Sequence, residues 1–472
     1  QRETYYENLR KLYKVFIARG QSFDAKKGLK NLILEIEDNF GSESIQLIEP
    51  ISDYINLLTS NLDHTNDNEE YAARLIKILK ENKKYKINNP YAYASLGTYY
   101  YRIENFNLSE KFFEKSLEYK KYRKSQVEIL LAQIKIELEK YKEAEKIISK
   151  FEHKNTHEKM LLMFANARLS HKTKNIQQYQ RDFINLYYDI FDYSRGITSE
   201  KGSLSINNYY LAIIKLIRDV TSLDNDQYEK VKIFFNDNNE SLDTSIIELF
   251  EILRNSRINK SVKNVIDRSL TPELEEEKKK LQHLILEFEK LPRISEKSQN
   301  VPEIAKQLAD YKKQIFDQQK LINSKLNIQD GLYYGKIDKK FLEKNIKNNQ
   351  AIISYFVDEE KLFLNYFSKE KILIKKIDIN ENEISNYVSA IRNSILISKN
   401  KKLKKFDFKN SSELYQIILK PIEKDIYDKN ELIIIPHRSL LSLPFEVLVK
   451  DYDNQNNYTS AKWLGKKYSI SY

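Results

Sequence analysis

The stretch Glu431-Leu-Ile-Ile-Ile-Pro-His-Arg-Ser-Leu-Leu-Ser-Leu-Pro-Phe-Glu-Val-Leu448 decides how the carboxyl-terminal part of the chain is read. Leu432–Ile435 is an unbroken apolar run, mostly β-branched. Such a run suits a strand buried on both faces, as in a parallel sheet covered by helices. Pro436 has no backbone N–H to give to a ladder, so pairing is expected to stop there. His437-Arg438-Ser439 then form a short polar turn at the carboxyl end of the strand. Leu443-Pro444-Phe445 turns the chain back into the core.

The residues before this strand carry a mixed α/β pattern. Ala351–Val357 and Leu362–Phe367 are apolar segments, and Asp358-Glu359-Glu360-Lys361 between them reads as a hairpin turn. Lys371–Ile377 adds a third strand, with Ile372, Ile374 and Ile377 set among lysines. Glu381–Ile397 is an amphipathic helix with Ile384, Tyr387, Val388, Ile391 and Ile395 on its apolar side. Lys399–Lys405 reads as a solvated loop. Ser411–Tyr427 reads as another helix, with Leu414, Tyr415, Ile418 and Leu419 inward and Pro421 disturbing it.

Strand, proline, polar turn, Leu-Pro-Phe and aliphatic segment, taken together, resemble the middle of a CHAT domain. Trp463–Tyr472 is similar to the next strand of that domain. Arg438 is a departure, because the family often has glycine there. An antiparallel hairpin, two helices and a parallel strand is also the order in the amino-terminal half of CHAT domains, so the resemblance spans about 341–472. It implies a caspase-like cysteine peptidase of the kind commonly fused behind tetratricopeptide repeats. In that family the catalytic His and Cys come after the last of these strands. The present chain contains no Cys. The resemblance therefore assigns no catalytic residue, no metal ligand and no cofactor here. For the full-length protein it implies a thiolate attacking a peptide carbonyl, with a His on the preceding strand as base.

From Gln1 to about Leu270 the pattern is helical, with Gly and Pro rare. The clearest unit is Tyr93–Lys121. Tyr93, Leu96, Gly97 and Tyr100 share one face of a first helix; Phe106, Ser109, Phe113 and Ser116 share one face of a second. Gly97 is expected to let the second helix approach closely. Tyr141 lies 35 residues after Phe106, and Ile176 lies 35 after Tyr141. A constant offset near the tetratricopeptide period of about 34 residues predicts a solenoid. The unit resembles a tetratricopeptide repeat. Ala72, Ile76 and Leu79, after a polar loop at Asp63–Asn68, read as the second helix of an earlier unit, and Tyr5–Arg19 with Ala25–Asn39 as another pair. Downstream, Asn207–Leu223 carries Tyr210, Ile213, Ile214 and Ile217 on one stripe, and Ser245–Arg254 and Val262–Leu270 read as later helices with drifting spacing. Stacked pairs give an extended concave face, which is expected to bind a protein or peptide partner. Most of the 33 Tyr residues are expected to pack between helices.

Ser269-Leu-Thr-Pro272 reads as a helix start, followed by Leu274, Leu281, Leu284, Phe288 and Leu291 on one stripe. Pro302 opens a second helix with Ile304, Leu308, Tyr311, Ile315 and Ile322 inward. Together they predict an antiparallel hairpin. The expected fold is mostly α: a tetratricopeptide-like solenoid over 1–268, a helical hairpin linker over 269–326, and the amino-terminal half of an α/β caspase-like domain over 327–472.

The chain has 472 residues and a net charge of +11, carried mostly by lysines spread over many helices. Arginine, the residue for bidentate phosphate contacts, is scarce, so direct nucleic-acid contact is not expected. No apolar run approaches the roughly 18 residues a membrane span needs. No membrane partner is expected, and the cytoplasm is the expected location. The chain starts at Gln1, which reads as a fragment or processed piece. His153 and His157 are four apart, a spacing that can present two imidazoles to a metal, but no carboxylate completes a site. There is no phosphate loop, dinucleotide fingerprint or nucleophile elbow. His437, at the end of the predicted buried strand, lacks a recognisable nucleophile and reads as a surface turn residue.

Overall fold

A computed structural model describes residues 2–18, 22–60, 66–81, 89–119, 124–194, 209–238, 240–254, 344–358, 360–395, 405–452 and 458–472, with helical residues in addition between 276 and 322. They form two compact units, Gln1–Gln227 with Asn255–Tyr334, and Tyr228–Arg254 with Gly335–Tyr472.

In the first unit successive helices pair. The pairs are α1 (Arg2–Ala18) with α2 (Ser22–Phe40), α3 (Ile48–Ser60) with α4 (Asn66–Glu81), α5 (Pro90–Arg102) with α6 (Phe106–Leu117), α7 (Lys124–Glu137) with α8 (Tyr141–Ile148), and α9 (Thr156–Lys172) with α10 (Ile176–Ser194); α11 (Tyr210–Thr221) follows. The repeat is written most clearly in the turns. Glu104, Glu139 and Lys174 are each left-handed, with φ of 57°, 60° and 59°, and they lie 35 residues apart. After each, an amide reaches five residues back: Asn105 N to Tyr100 O at 2.9 Å, Lys140 N to Lys135 O at 2.8 Å, Asn175 N to Ser170 O at 2.9 Å. This is the Schellman closure, which satisfies the orphan carbonyls of a helix end. The next helix then starts at once. Asn105 and Asn175 cap it by accepting from Leu108 N and Gln178 N. Three turns of one geometry at one period make this unit a tetratricopeptide-like helical repeat.

Packing follows the expected logic. A Cβ added at Gly97 would sit 2.9 Å from the Phe113 ring, so the close approach uses the missing side chain. Ser109 Oγ donates to the Gly97 carbonyl at 2.7 Å. The first helices α7 and α9 bury residues on nearly every side, among them Ile129, Ala132, Ile134, Ile136, Met160, Phe164, Ala165 and Ala167. An all-round apolar helix belongs in an interior. Tyr54, Tyr179, Tyr187 and Tyr209 are fully buried between helices. In the later segment of this unit, Leu281, Leu284 and Phe288 pack with Tyr311 and Ile315. Gln318 Nε2 donates to the Glu277 backbone and carboxylate at 3.2 and 2.7 Å. The start at Ser269–Pro272, Leu274, Leu291, Ile304, Leu308 and the helix expected over 262–270 lie outside the described residues, as do 399–404.

The second unit contains α12 (Asn225–Asp237, from Tyr228 on), α13 (242–254), β1 (Gln350–Val357), β2 (Leu362–Phe367), β3 (Ile372–Ile377), α14 (Glu381–Ile395), α15 (Phe408–Ile418), β4 (Glu431–Ile435), α16 (Leu464–Lys467) and β5 (Ser469–Ser471). The sheet order is β3-β2-β1-β4-β5. β1–β2 and β2–β3 are antiparallel; β1–β4 and β4–β5 are parallel. The hairpin turn is tied by Asp358, whose Oδ1 accepts from Glu360 N and Lys361 N at 2.7 and 2.6 Å. One face, with Ile353, Tyr355, Leu364, Leu432 and Ile434, packs on α14 and α15. The other face meets α13: Ile247 clusters with Ile346 and Phe367, and the Phe250 ring packs, tilted, against Phe356 and Phe363 at centroid distances of 4.7 and 4.9 Å.

Three expectations are corrected. β4 is an interior strand, but it is buried on one face only: Leu432 and Ile434 are fully buried while Ile435 is 38% exposed. The helix expected to reach Tyr427 ends at Ile418, and Lys420–Ile422 is a single 3-10 turn. Pro421 accounts for this, since it has no N–H to give and restricts the residue before it. The strand expected from Trp463 begins with one helical turn, so only Ser469–Ser471 pairs with β4.

Candidate functional site

Where β4 ends, two side chains take over its ladder. Parallel strands exchange evenly spaced hydrogen bonds. Past the pair Ser354–Ile435, the Tyr355 carbonyl and the Val357 amide of β1 would be next in line for β4. Pro436 diverts the chain. His437 Nδ1 instead accepts from Val357 N at 3.0 Å, and Arg254 Nη2 donates to Tyr355 O at 2.6 Å. Arg254 Nη2 also donates to Ser354 Oγ at 3.0 Å, and its Nη1 pairs with Glu251 at 2.9 Å. The His437 ring stacks on Phe356 at 4.7 Å. Buried backbone groups need partners, and these side chains supply them.

The turn after His437 is held from α14. Arg438 has φ of 51°, the left-handed region that favours glycine. The position singled out in the sequence is thus one where the backbone itself asks for glycine. Ser439 donates from its N, at 3.2 Å, and from its hydroxyl to one Glu381 oxygen. Arg392 Nη1 donates to Ser442 O at 2.8 Å. Glu381 is placed by a reciprocal cap in which Glu383 N donates to Asn380 Oδ1 at 2.9 Å and Asn380 N donates to Glu383 Oε2 at 3.0 Å.

Electrostatics keep His437 neutral. Burial, then the positive charges of Arg254 and Arg438, push its pKa down to about 3. Nδ1 is the acceptor, so the ring proton sits on Nε2. A lone pair already engaged, in a ring that resists protonation, makes His437 a strand cap and not a base. Arg254 had no signal in the sequence: it sits almost a hundred residues before the sheet, at the end of a helix grouped there with the repeats.

In the first unit the polar groups join successive first helices. Asp53 of α3 accepts from Arg10 Nε at 2.6 Å and pairs with Lys14 at 3.2 Å. Asn56 donates to Ser95 Oγ at 2.8 Å. Farther along, Arg168 of α9 grips Glu137 of α7 with two bonds of 2.9 and 2.8 Å and also donates to Asp219 of α11. Lys215 of α11 donates to Glu137 at 3.1 Å and lies 5.0 Å from the Tyr101 ring centre. Burial opposes the charges, yet Lys215 and Arg168 hold the Glu137 carboxyl below its ordinary range. Each cation here faces a carboxylate, so the network locks α7, α9 and α11 together. His157 accepts or donates at both ring nitrogens, 2.6 Å to Gln126 and 2.6 Å to Tyr209 Oη. His153 is exposed on the preceding loop. Among the described residues no group of three or more His, Asp and Glu could hold a metal ion.

No protein-family model matches the chain. No curated protein matches it either. Among solved structures it is similar to a tetratricopeptide repeat protein from Parabacteroides merdae, with 14% identity over 59% of this chain and 98% of that one and a TM-score of 0.31. The repeat assignment rests on the three turns and not on that likeness. No helix among the described residues is long and apolar enough to cross a membrane.

Proposed function

We propose that the repeat helices are a scaffold binding a protein or peptide partner on their concave side, and that the second unit is the amino-terminal half of a CHAT-like, caspase-related domain. In the full-length protein, a thiolate on a later strand attacks a peptide carbonyl and a His on the preceding strand is its base. Partner binding to the repeats shifts the peptidase between states. The cytoplasm is the proposed location. The observation that carries this reading is the sheet order β3-β2-β1-β4-β5, an antiparallel hairpin continued by parallel β4 and β5.

The experiment is proteolysis of a general protein substrate by the full-length protein. Cleavage that disappears when its candidate Cys is changed to Ala supports the reading. Folded full-length protein without such cleavage, with and without a captured partner, leaves the second reading: a non-catalytic scaffold with a degenerate platform.

A further inference from the structure

In an array of helix pairs each pair contacts its neighbours, so small changes at each interface add up along the array. Lys215 of α11 departs from that rule. Its side chain is buried, and its ammonium donates to Glu137 of α7 at 3.1 Å, past the intervening pair α9–α10. It also reaches the α5–α6 pair, two pairs farther back in the chain than α9–α10. Glu104, in the turn between those helices, lies 3.5 Å from the ammonium, and the Tyr101 and Phe106 ring centres lie at 5.0 and 4.7 Å. The ties to the neighbouring helix are separate: Asp219 of α11 accepts from Arg168 of α9. One ammonium thus gathers groups from α5, α6, α7 and the turn at Glu104 onto α11.

We propose that Lys215 is a pin that fixes the curvature of the helix pairs between α5 and α11. A buried ammonium pays for its lost hydration, and an apolar side chain of similar volume is often tolerated at such a place at equal or lower cost. An apolar side chain cannot hold two carboxylates from different helix pairs at one point. Glu137 and Glu104 are such a pair of carboxylates, so the lysine serves geometry more than stability. With the pin in place, α5 and α11 cannot move apart by small adjustments at the interfaces between them. The pinned pairs present a preformed surface, which lowers the ordering cost of an association. The proposal rests on neither the peptidase nor the partner-binding reading.

Distances between spin labels on the whole chain test it. The chain has no Cys, so labels go only where a Cys is introduced. Lys111→Cys on α6 and Asn225→Cys, four residues beyond α11, are both at exposed positions and span the pin. Lys111→Cys with Lys142→Cys on α8, also exposed, spans neighbouring pairs only. Double electron–electron resonance is expected to give one narrow distance for each labelled pair. Lys215→Met is expected to at least double the width of the 111–225 distribution and to leave the 111–142 distribution as it was. An unchanged 111–225 width overturns the proposal, whatever happens to the denaturant midpoint. So does equal broadening of both distributions, which is general loosening. If Lys215→Met does not fold, Glu104→Ala decides, since that side chain is 40% exposed. A 111–225 width at least half as large again then supports the pin, and an unchanged width overturns it.

Discussion

Arg254 and Tyr355 are 101 residues apart in sequence, yet the guanidinium of one donates to the carbonyl of the other at 2.6 Å. With His437 on Val357, this contact ends β1 in side chains where β4 has turned away. The end of the central strand is thus built from three distant stretches of chain.

Acid should weaken this unit through His437. Its pKa is lowered by burial and by Arg254 and Arg438 to about 3, against 6.5 for an unhindered His. The unfolded chain then binds a proton that the folded chain refuses. Stability from this group is complete above about pH 6.5 and falls as pH drops toward 3, by up to about 1.4 kcal/mol per pH unit. Trp463, the single Trp, packs against Phe406 and Phe408 of this unit and reports its unfolding. His437→Asn keeps an acceptor and removes the proton site. Urea titrations read by Trp463 fluorescence should show a flatter pH dependence for that variant, and an unchanged slope would contradict the assignment.

Left-handed turns predict a graded response to glycine. Glu139→Gly, Lys174→Gly and Arg438→Gly should each stabilise by about 1 kcal/mol, the strain of a side chain in this region less the extra freedom of glycine when unfolded. Glu104→Gly should gain less, because Glu104 also pairs with Lys215 at 3.5 Å. Thermal melts of the four variants measure the order.

Gly97→Ala should destabilise the repeat unit. The added methyl meets the Phe113 ring at 2.9 Å, and overpacking of this kind costs about 1–3 kcal/mol. Phe113→Leu in the same chain should return part of the loss. Equal losses in the single and double variants, by circular dichroism melts, would show that Phe113 is not what the methyl strikes.

Arg168→Met should cost about 3–5 kcal/mol, because buried Asp219 loses its guanidinium and buried Glu137 keeps only Lys215. Denaturant midpoints of the variant and the wild type check the size of the loss.

The helical repeat was legible in the sequence because its signal is periodic: Phe106, Tyr141 and Ile176 mark second helices 35 residues apart, and each starts where expected. The hairpin and its third strand were legible from two apolar segments around a polar turn and from isoleucines set among lysines. α13 as part of the α/β unit was not. Ile247, Phe250 and Arg254 look like any helix face in sequence, and nothing local says that their neighbours are strands a hundred residues on. The half-open face of β4 was also hidden, since Ile433 and Ile435 are as apolar as the buried Leu432 and Ile434. Apolar runs report what a residue tolerates, and burial depends on what lies opposite.

The split of the second unit between Tyr228–Arg254 and Gly335–Tyr472 sets an order of events at the ribosome. Translation proceeds at about 5–20 residues per second, so helix 242–254 emerges seconds before the first strand that it covers. During that interval its Leu and Ile side chains are outside the tunnel with no sheet to meet. Chaperone demand during synthesis should therefore centre on this helix rather than on the strands, which arrive together with their hairpin partners.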